Sequence, residues 1–164
     1  MRAVSRRLLI GLAAAFVAAV LGVVGLVHAL NPQDRPSGDP ADFMTTIVGY
    51  IVADDYASAW DSLYPPHKLV ALQQEYVDCE LQRPVASKLG SIDVLGVRDR
   101  KLHVPGDTGS VDAKAVTLRV DLLNSVGAKE TFRHTFNVVP VGAHWTWVLT
   151  PSRYALYRAD GCGT

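Results

Sequence analysis

The stretch AVTLRVDL, residues 115–122, decides the fold class of this chain. Every second residue in it is a large aliphatic one, and the residues between are small, polar or charged. The aliphatic row consists of Val116, Leu118, Val120 and Leu122. This period of two is typical of a β-strand that buries one face. The stretch therefore predicts a sheet with a core on one side.

Similar alternation follows toward the C-terminus. One predicted row is Phe132, His134, Phe136 and Val138, and the next is Trp145, Trp147 and Leu149. The segments 124–128 and 140–143 are short enough for hairpin turns. A less regular strand, or a pair of strands, is predicted at 91–104. We therefore expect about four antiparallel strands.

Before Pro84 the apolar spacing is helical instead. Asp39 and Pro40 suit the N-cap and first position of a helix. A second short helix is predicted at 56–64, and Pro65-Pro66 would end it and start a third. The buried stripe predicted for that third helix consists of Leu69, Leu72, Tyr76 and Cys79.

About three helices followed by about four strands predict an α+β domain whose helices cover one face of the sheet. This order, with Tyr56 and Trp60 on a helix followed by Leu63-Tyr64-Pro65, resembles the nuclear-transport-factor-two-like or cystatin-like α+β cone fold over residues 40–158. The resemblance is narrower to exported, membrane-anchored versions with a helix-to-tail cysteine pair. It implies a curved sheet around a cavity. The family includes steroid isomerases, dehydratases and polyketide cyclases, and many noncatalytic binding or assembly domains.

The N-terminus predicts the location of the domain. Arg2, Arg6 and Arg7 precede an apolar run of 23 residues, 8–30, which as a helix would span about 34 Å and could cross a bilayer. Arginines on one side place everything after it outside the cytoplasm. Two fates stay open: a retained single-pass anchor, or a cleaved signal with a secreted domain. We expect a membrane segment at 1–30, a linker at 31–40 and an extracytoplasmic domain at 41–164.

Charge excludes one class of partner. Residues 31–164 carry 13 basic and 16 acidic side chains, a formal charge of −3. A domain without a basic patch is not expected to bind nucleic acid. The sequence also shows no metal-ligand spacing, no nucleotide loop and no nucleophile motif, so we expect no metal, no cofactor and no assigned catalytic residue.

The chain has two cysteines, Cys79 and Cys162. Outside the cytoplasm an isolated pair favours a disulfide over a metal site. We therefore predict a Cys79–Cys162 bond that ties the tail to the helical layer.

Five residues are candidates for lining a ligand pocket: Tyr50, Asp54, Tyr64, His134 and Trp147. His134 shares a strand face with Phe132 and Phe136, so we expect it to be buried, either as a proton acceptor or ligand contact or as a structural histidine. Asp54, with Asp55, lies between two helices, where it could act as a base or as a cap. The tyrosines and Trp147 could equally be core residues.

Two functions follow. The first is a noncatalytic membrane-anchored domain that binds a small apolar ligand or an envelope protein partner, with a homodimer as a further arrangement. The alternative is an isomerase, dehydratase or cyclase that uses His134 in the cone cavity, with Tyr50 or Asp54 assisting. Convergence of His134 with a carboxylate or phenol across an open cavity would favour the enzyme, whereas aromatic rings filling that space would oppose it.

Overall fold

The computed structural model describes residues 36–85, 87–159 and 162. In these ranges the chain is α+β, with five helices and one four-stranded antiparallel sheet. The helices are α1 Pro40–Val52, α2 Tyr56–Asp61, α3 Pro65–Lys68, α4 Gln73–Leu81 and α5 Pro151–Arg158. The strands are β1 Lys88–His103, β2 Ser110–Leu123, β3 Lys129–Val141 and β4 His144–Trp147, in that spatial order.

The predicted membrane segment, 8–30, lies outside the described residues. No helix within the described ranges has the length and apolar character needed to cross a membrane.

The aliphatic row of residues 115–122 faces the core. We call the side chains on this face of the sheet the inner row. Val116 and Leu118 are fully buried and Val120 and Leu122 nearly so. The register places Leu118 between Val94 of β1 and His134 of β3, so these three side chains share one face. The predicted α+β class and the single buried sheet face are confirmed.

α1 covers this face as its N-terminal signals predict. Asp39 caps it through a 2.6 Å hydrogen bond from the Ala41 N–H, and Pro40 occupies its first position. Met44, Ile47 and Val48 are buried against the sheet side of the core. The apolar stripe of α1 therefore forms one wall of the core.

The predicted third helix is wrong in part, because the segment forms two helices. Leu69 and Leu72 are 83% and 61% exposed, whereas Tyr76 and Cys79 are buried. The break buries Ala71, whose carbonyl accepts a 2.7 Å hydrogen bond from the Trp60 indole N–H. The Ala71 carbonyl thus bonds to a side chain of α2 instead of to a backbone N–H one turn later. Residues 69–72 therefore separate α3 from α4.

The C-terminus also differs from the prediction. β4 ends at Trp147, and residues 151–158 form α5, a helix that was not predicted. Thr150 caps α5 by accepting a hydrogen bond from the Arg153 N–H, and Pro151 follows as its first residue. The second helix is likewise shorter than predicted, since α2 ends at Asp61.

Asp121 departs from the simple alternation of β2. It lies on the polar row but is only 6% exposed. Hydrogen bonds from Lys129, Thr131 and Ser91 lower the pKa of this carboxyl group to about 2. The carboxylate is therefore a structural link between the first three strands.

The predicted disulfide is confirmed: Cys79 on α4 is bonded to Cys162, with their Cα atoms 4.9 Å apart. The bond holds the tail beyond α5 against the helical layer.

Candidate functional site

A cavity of about 180 Å³ lies between the helices and the inner row of β3. Its lining is mostly apolar and comes from α1, α4, β3, β4, the segment after β4, and α5. The lining residues are Ile51, Tyr76, Glu80, His134, Phe136, Trp147, Val148, Leu149, Thr150 and Arg153. An apolar hollow with a few convergent polar groups is the usual form of a binding site.

Aromatic rings fill much of the space beside this cavity. Tyr76 lies 6.3 Å from Trp147 and 5.8 Å from Tyr157, centroid to centroid. All three side chains are buried. The cavity is therefore a residual space beside a packed aromatic cluster.

Glu80 is the acidic group of the cavity. Its Oε1 accepts a 2.7 Å hydrogen bond from the Tyr157 hydroxyl, and its Oε2 pairs with the Arg153 guanidinium. Burial raises the pKa of Tyr157, and the hydrogen bond to Glu80 raises it further. Both carboxylate oxygens are thus engaged in holding α5 against α4.

His134 lies on the predicted face, but the expectation that it is buried is wrong. Its ring is exposed and packs on Phe136 at a centroid distance of 4.6 Å. β4 pairs only with residues 138–141 of β3, so His134 stands where β3 is itself the sheet edge. Within the described ranges His134 forms no hydrogen bond or ion pair.

Of the five predicted pocket residues, the structure brings together only His134 and Trp147. Trp147 is anchored in the core by a 2.7 Å hydrogen bond from its indole N–H to the Ala59 carbonyl. Tyr50, Asp54 and Tyr64 do not line this cavity.

Asp54 and Tyr64 have hydrogen-bond partners, and Tyr50 packs, partly buried, against the core. Asp54, at a positive φ of 57°, accepts a 2.8 Å hydrogen bond from the Tyr56 hydroxyl. Burial and this carboxylate raise the pKa of Tyr56 to about 12. The Tyr64 hydroxyl donates to Asp107 at 2.9 Å.

His67 is a buried polar residue that sequence reasoning did not single out. In α3 it is fully buried, and its Nε2–H donates to the Pro105 carbonyl while its Nδ1 accepts from the Leu149 N–H, both at 3.0 Å. This arrangement fits the neutral ring alone, since protonation would turn Nδ1 into a donor. Burial lowers the pKa of His67, although the Pro105 hydrogen bond and nearby Asp107 oppose the shift.

We expect stability to fall as the pH drops below about 6.5, the ordinary pKa of histidine. Between that value and the lower pKa of folded His67, the unfolded chain binds more protons than the folded chain, so acid favours unfolding. The loss of stability from this residue is at most about 1.4 kcal/mol per pH unit.

Urea unfolding at pH 7.5 and 5.0 measures this loss of stability. His67→Gln should be less stable at pH 7.5 and show a smaller pH dependence, whereas exposed His103→Gln should behave like the wild type. An unchanged pH dependence in His67→Gln would contradict the assignment.

A larger open groove, about 670 Å³, lies beside the N-terminal end of α1. Two of its acidic groups already have partners: Asp39 caps α1, and Asp61 accepts from Gln73. In the part of the chain that the structure describes, no cluster of His, Cys, Asp or Glu could hold a metal ion. We therefore take the apolar cavity as the better candidate site.

No protein-family model matches the chain, and no curated protein is detectably similar to it. The assignment of a function therefore depends on the geometry. The cavity combines an exposed imidazole, an acid already paired with a base, and aromatic walls. This arrangement can hold an apolar group, and the exposed His134 imidazole can hydrogen-bond to a polar atom next to that group.

Proposed function

We propose that residues 41–164 form a noncatalytic extracytoplasmic binding domain of the cone-fold type, held at the membrane by residues 8–30, and that it binds an envelope protein partner. Helices packed on one face of an antiparallel sheet support the cone-fold part of this proposal. The family resemblance in the sequence supports the membrane-anchored class.

The single observation that carries the proposal is the β3 patch, which consists of Phe132, His134 and Phe136. Phe132 is 50% exposed on a row whose other end, Val138, is fully buried. A large aromatic side chain left open beside an apolar cavity is typical of an interaction site. His134 and Phe136 of the β3 patch also line the cavity, so the patch adjoins it.

The size of the cavity favours a protein partner over a free small molecule. Drug-sized ligands occupy pockets of about 300–1,000 Å³, and the cavity measures about 180 Å³. One large apolar side chain of a partner would suit it as an anchor. Both oxygens of Glu80 are occupied, and the exposed His134 can supply a polar contact to the partner.

The linker supports a partner close to the membrane. Ten residues of flexible chain reach only about 16–19 Å. The described end of the linker is also attached to the domain, because the Ser37 N–H donates to the Ala143 carbonyl at 2.9 Å and the Trp145 indole to the Gly38 carbonyl at 3.0 Å. The domain would therefore meet membrane proteins first.

Photocrosslinking in the native membrane tests this function. The full chain carries a benzophenone amino acid at Phe132 or, as the matched control, at exposed Arg133 on the opposite face of the same strand. We expect a protein adduct from position 132, little from position 133, and loss of the adduct when His134→Glu places a charge at the cavity mouth.

Three results would overturn the proposal: equal adducts from both positions, an adduct from neither, or an adduct that is insensitive to His134→Glu. An adduct of only a few hundred daltons at position 132 would replace the protein partner with a small apolar ligand.

A further inference from the structure

The two edge strands of the sheet, β4 and β1, differ in whether their outward-facing backbone groups form hydrogen bonds. At the β4 edge the Trp147 N–H donates to the Ser62 carbonyl at 3.1 Å, and its carbonyl accepts from the Tyr64 N–H at 2.8 Å. Along β1 the edge that faces away from β2 forms no backbone hydrogen bond within the described residues. A free edge 16 residues long can pair with another strand.

The middle of this free edge is apolar. Val94, Leu95 and Val97 are 47%, 43% and 39% exposed. Natural edge strands usually carry charges or prolines that block pairing. In β1 the dense charges begin only at Arg98. The apolar edge segment, residues 94–97, therefore lacks that protection.

We propose that β1 pairs antiparallel with β1 of a second copy of this chain, about a two-fold axis beside Leu95 and Gly96. In this register Val94 lies opposite Val97 of the second copy, and the contact occurs twice. Both valines belong to the inner row, since they pair with Leu118 and Val116 of β2. The two sheets would then continue as one, with their inner rows on the same side.

Charge complementarity selects a second copy as the occupant and sets the register. The same pairing places Asp93 opposite Arg98 of the second copy, again twice. Arg119 binds Asp93 through Oδ2 alone, at 2.7 and 3.1 Å, which leaves Oδ1 available. Arg98 is exposed and has no ion-pair partner among the described residues.

The irregularity in β1 is compatible with this pairing. Between Val94 and Gly96 the register with β2 shifts by one residue, and a second shift between Leu89 and Ser91 lies beyond the stretch 91–100 that this pairing uses. Such a bulge normally spoils an edge for a regular strand. A second copy carries the same bulge, so two identical irregularities would face each other across the axis. The strands would stay in register from residue 91 to residue 100 on both sides of the axis.

Light scattering of the full-length chain in detergent micelles tests the pairing. We expect a protein mass of twice 17.7 kDa. Arg98→Asp places two carboxylates opposite each other on both sides of the axis, and should raise the dimer dissociation constant at least about tenfold. Asp93→Arg combined with Arg98→Asp restores opposite charges and should restore the dimer. Arg100→Asp, which faces Ser91 in this register, is the matched control.

A monomeric wild-type chain at about 100 µM would overturn the pairing, and so would an Arg98→Asp chain that stays dimeric. A monomeric double variant would overturn the register. Far-ultraviolet circular dichroism of each variant confirms that the charges, and not misfolding, cause the change. The result is independent of crosslinking at Phe132, which lies two strands away.

Discussion

Reducing the Cys79–Cys162 bond is expected to lower the free energy of unfolding by about 4 kcal/mol. The bond joins residues 83 positions apart, so it closes a long loop and restricts the unfolded chain strongly. Total stability of a domain this size is about 5–15 kcal/mol. The reduced chain should therefore be marginally stable.

Urea unfolding of the wild type with and without reductant measures this effect, and the reduced chain is its own matched control. Cys79→Ala with Cys162→Ala should reproduce the reduced midpoint, because Cys79 is buried and alanine leaves no unpaired polar group there. Hydrogen exchange should show the largest loss of protection in α5, which the bond holds near α4. Equal urea midpoints for oxidised and reduced wild type would contradict the prediction.

The sheet could be predicted from the sequence because its signal is local. Val116, Leu118, Val120 and Leu122 alternate without interruption, and a period of two has only one structural explanation over that length. The predicted helical stripe through Leu69 and Leu72 was wrong because the Trp60 indole of α2 donates a hydrogen bond to the Ala71 carbonyl. The spacing of apolar residues within 69–79 carries no sign of this contact. α5 had a local signal, Thr150 followed by Pro151, but its eight residues show little apolar periodicity.

The candidate site was predicted in part. Alternation correctly placed His134 on the inner row with Phe136, because strand parity fixes the face of a side chain. It could not predict exposure, which depends on how far β4 extends along β3. Glu80 follows Cys79 directly, but its role depends on Arg153 and Tyr157 in a helix that the sequence pattern did not predict.

Glu80→Ala is expected to lower the free energy of unfolding by about 3 kcal/mol. The Glu80 side chain is only 12% exposed, and the substitution removes two hydrogen bonds to a charged group. It also leaves the buried Tyr157 hydroxyl without an acceptor and the half-buried Arg153 without its counter-ion. Both losses fall on the contact between α4 and α5, so the wall of the cavity should loosen first.

Chemical denaturation measures the total effect, and hydrogen exchange of α5 locates it. Asp78→Ala is the matched control, since Asp78 is an exposed acid on the same helix and its carboxylate accepts a hydrogen bond from exposed Gln74; it should cost under about 0.5 kcal/mol. Tyr157→Phe, which removes one of the two hydrogen bonds and leaves the ion pair, should fall between them. Glu80→Ala and Asp78→Ala with equal stability would show that Glu80 does not hold α5. The disulfide and the packing of Tyr157 on Tyr76 would then hold α5 in place.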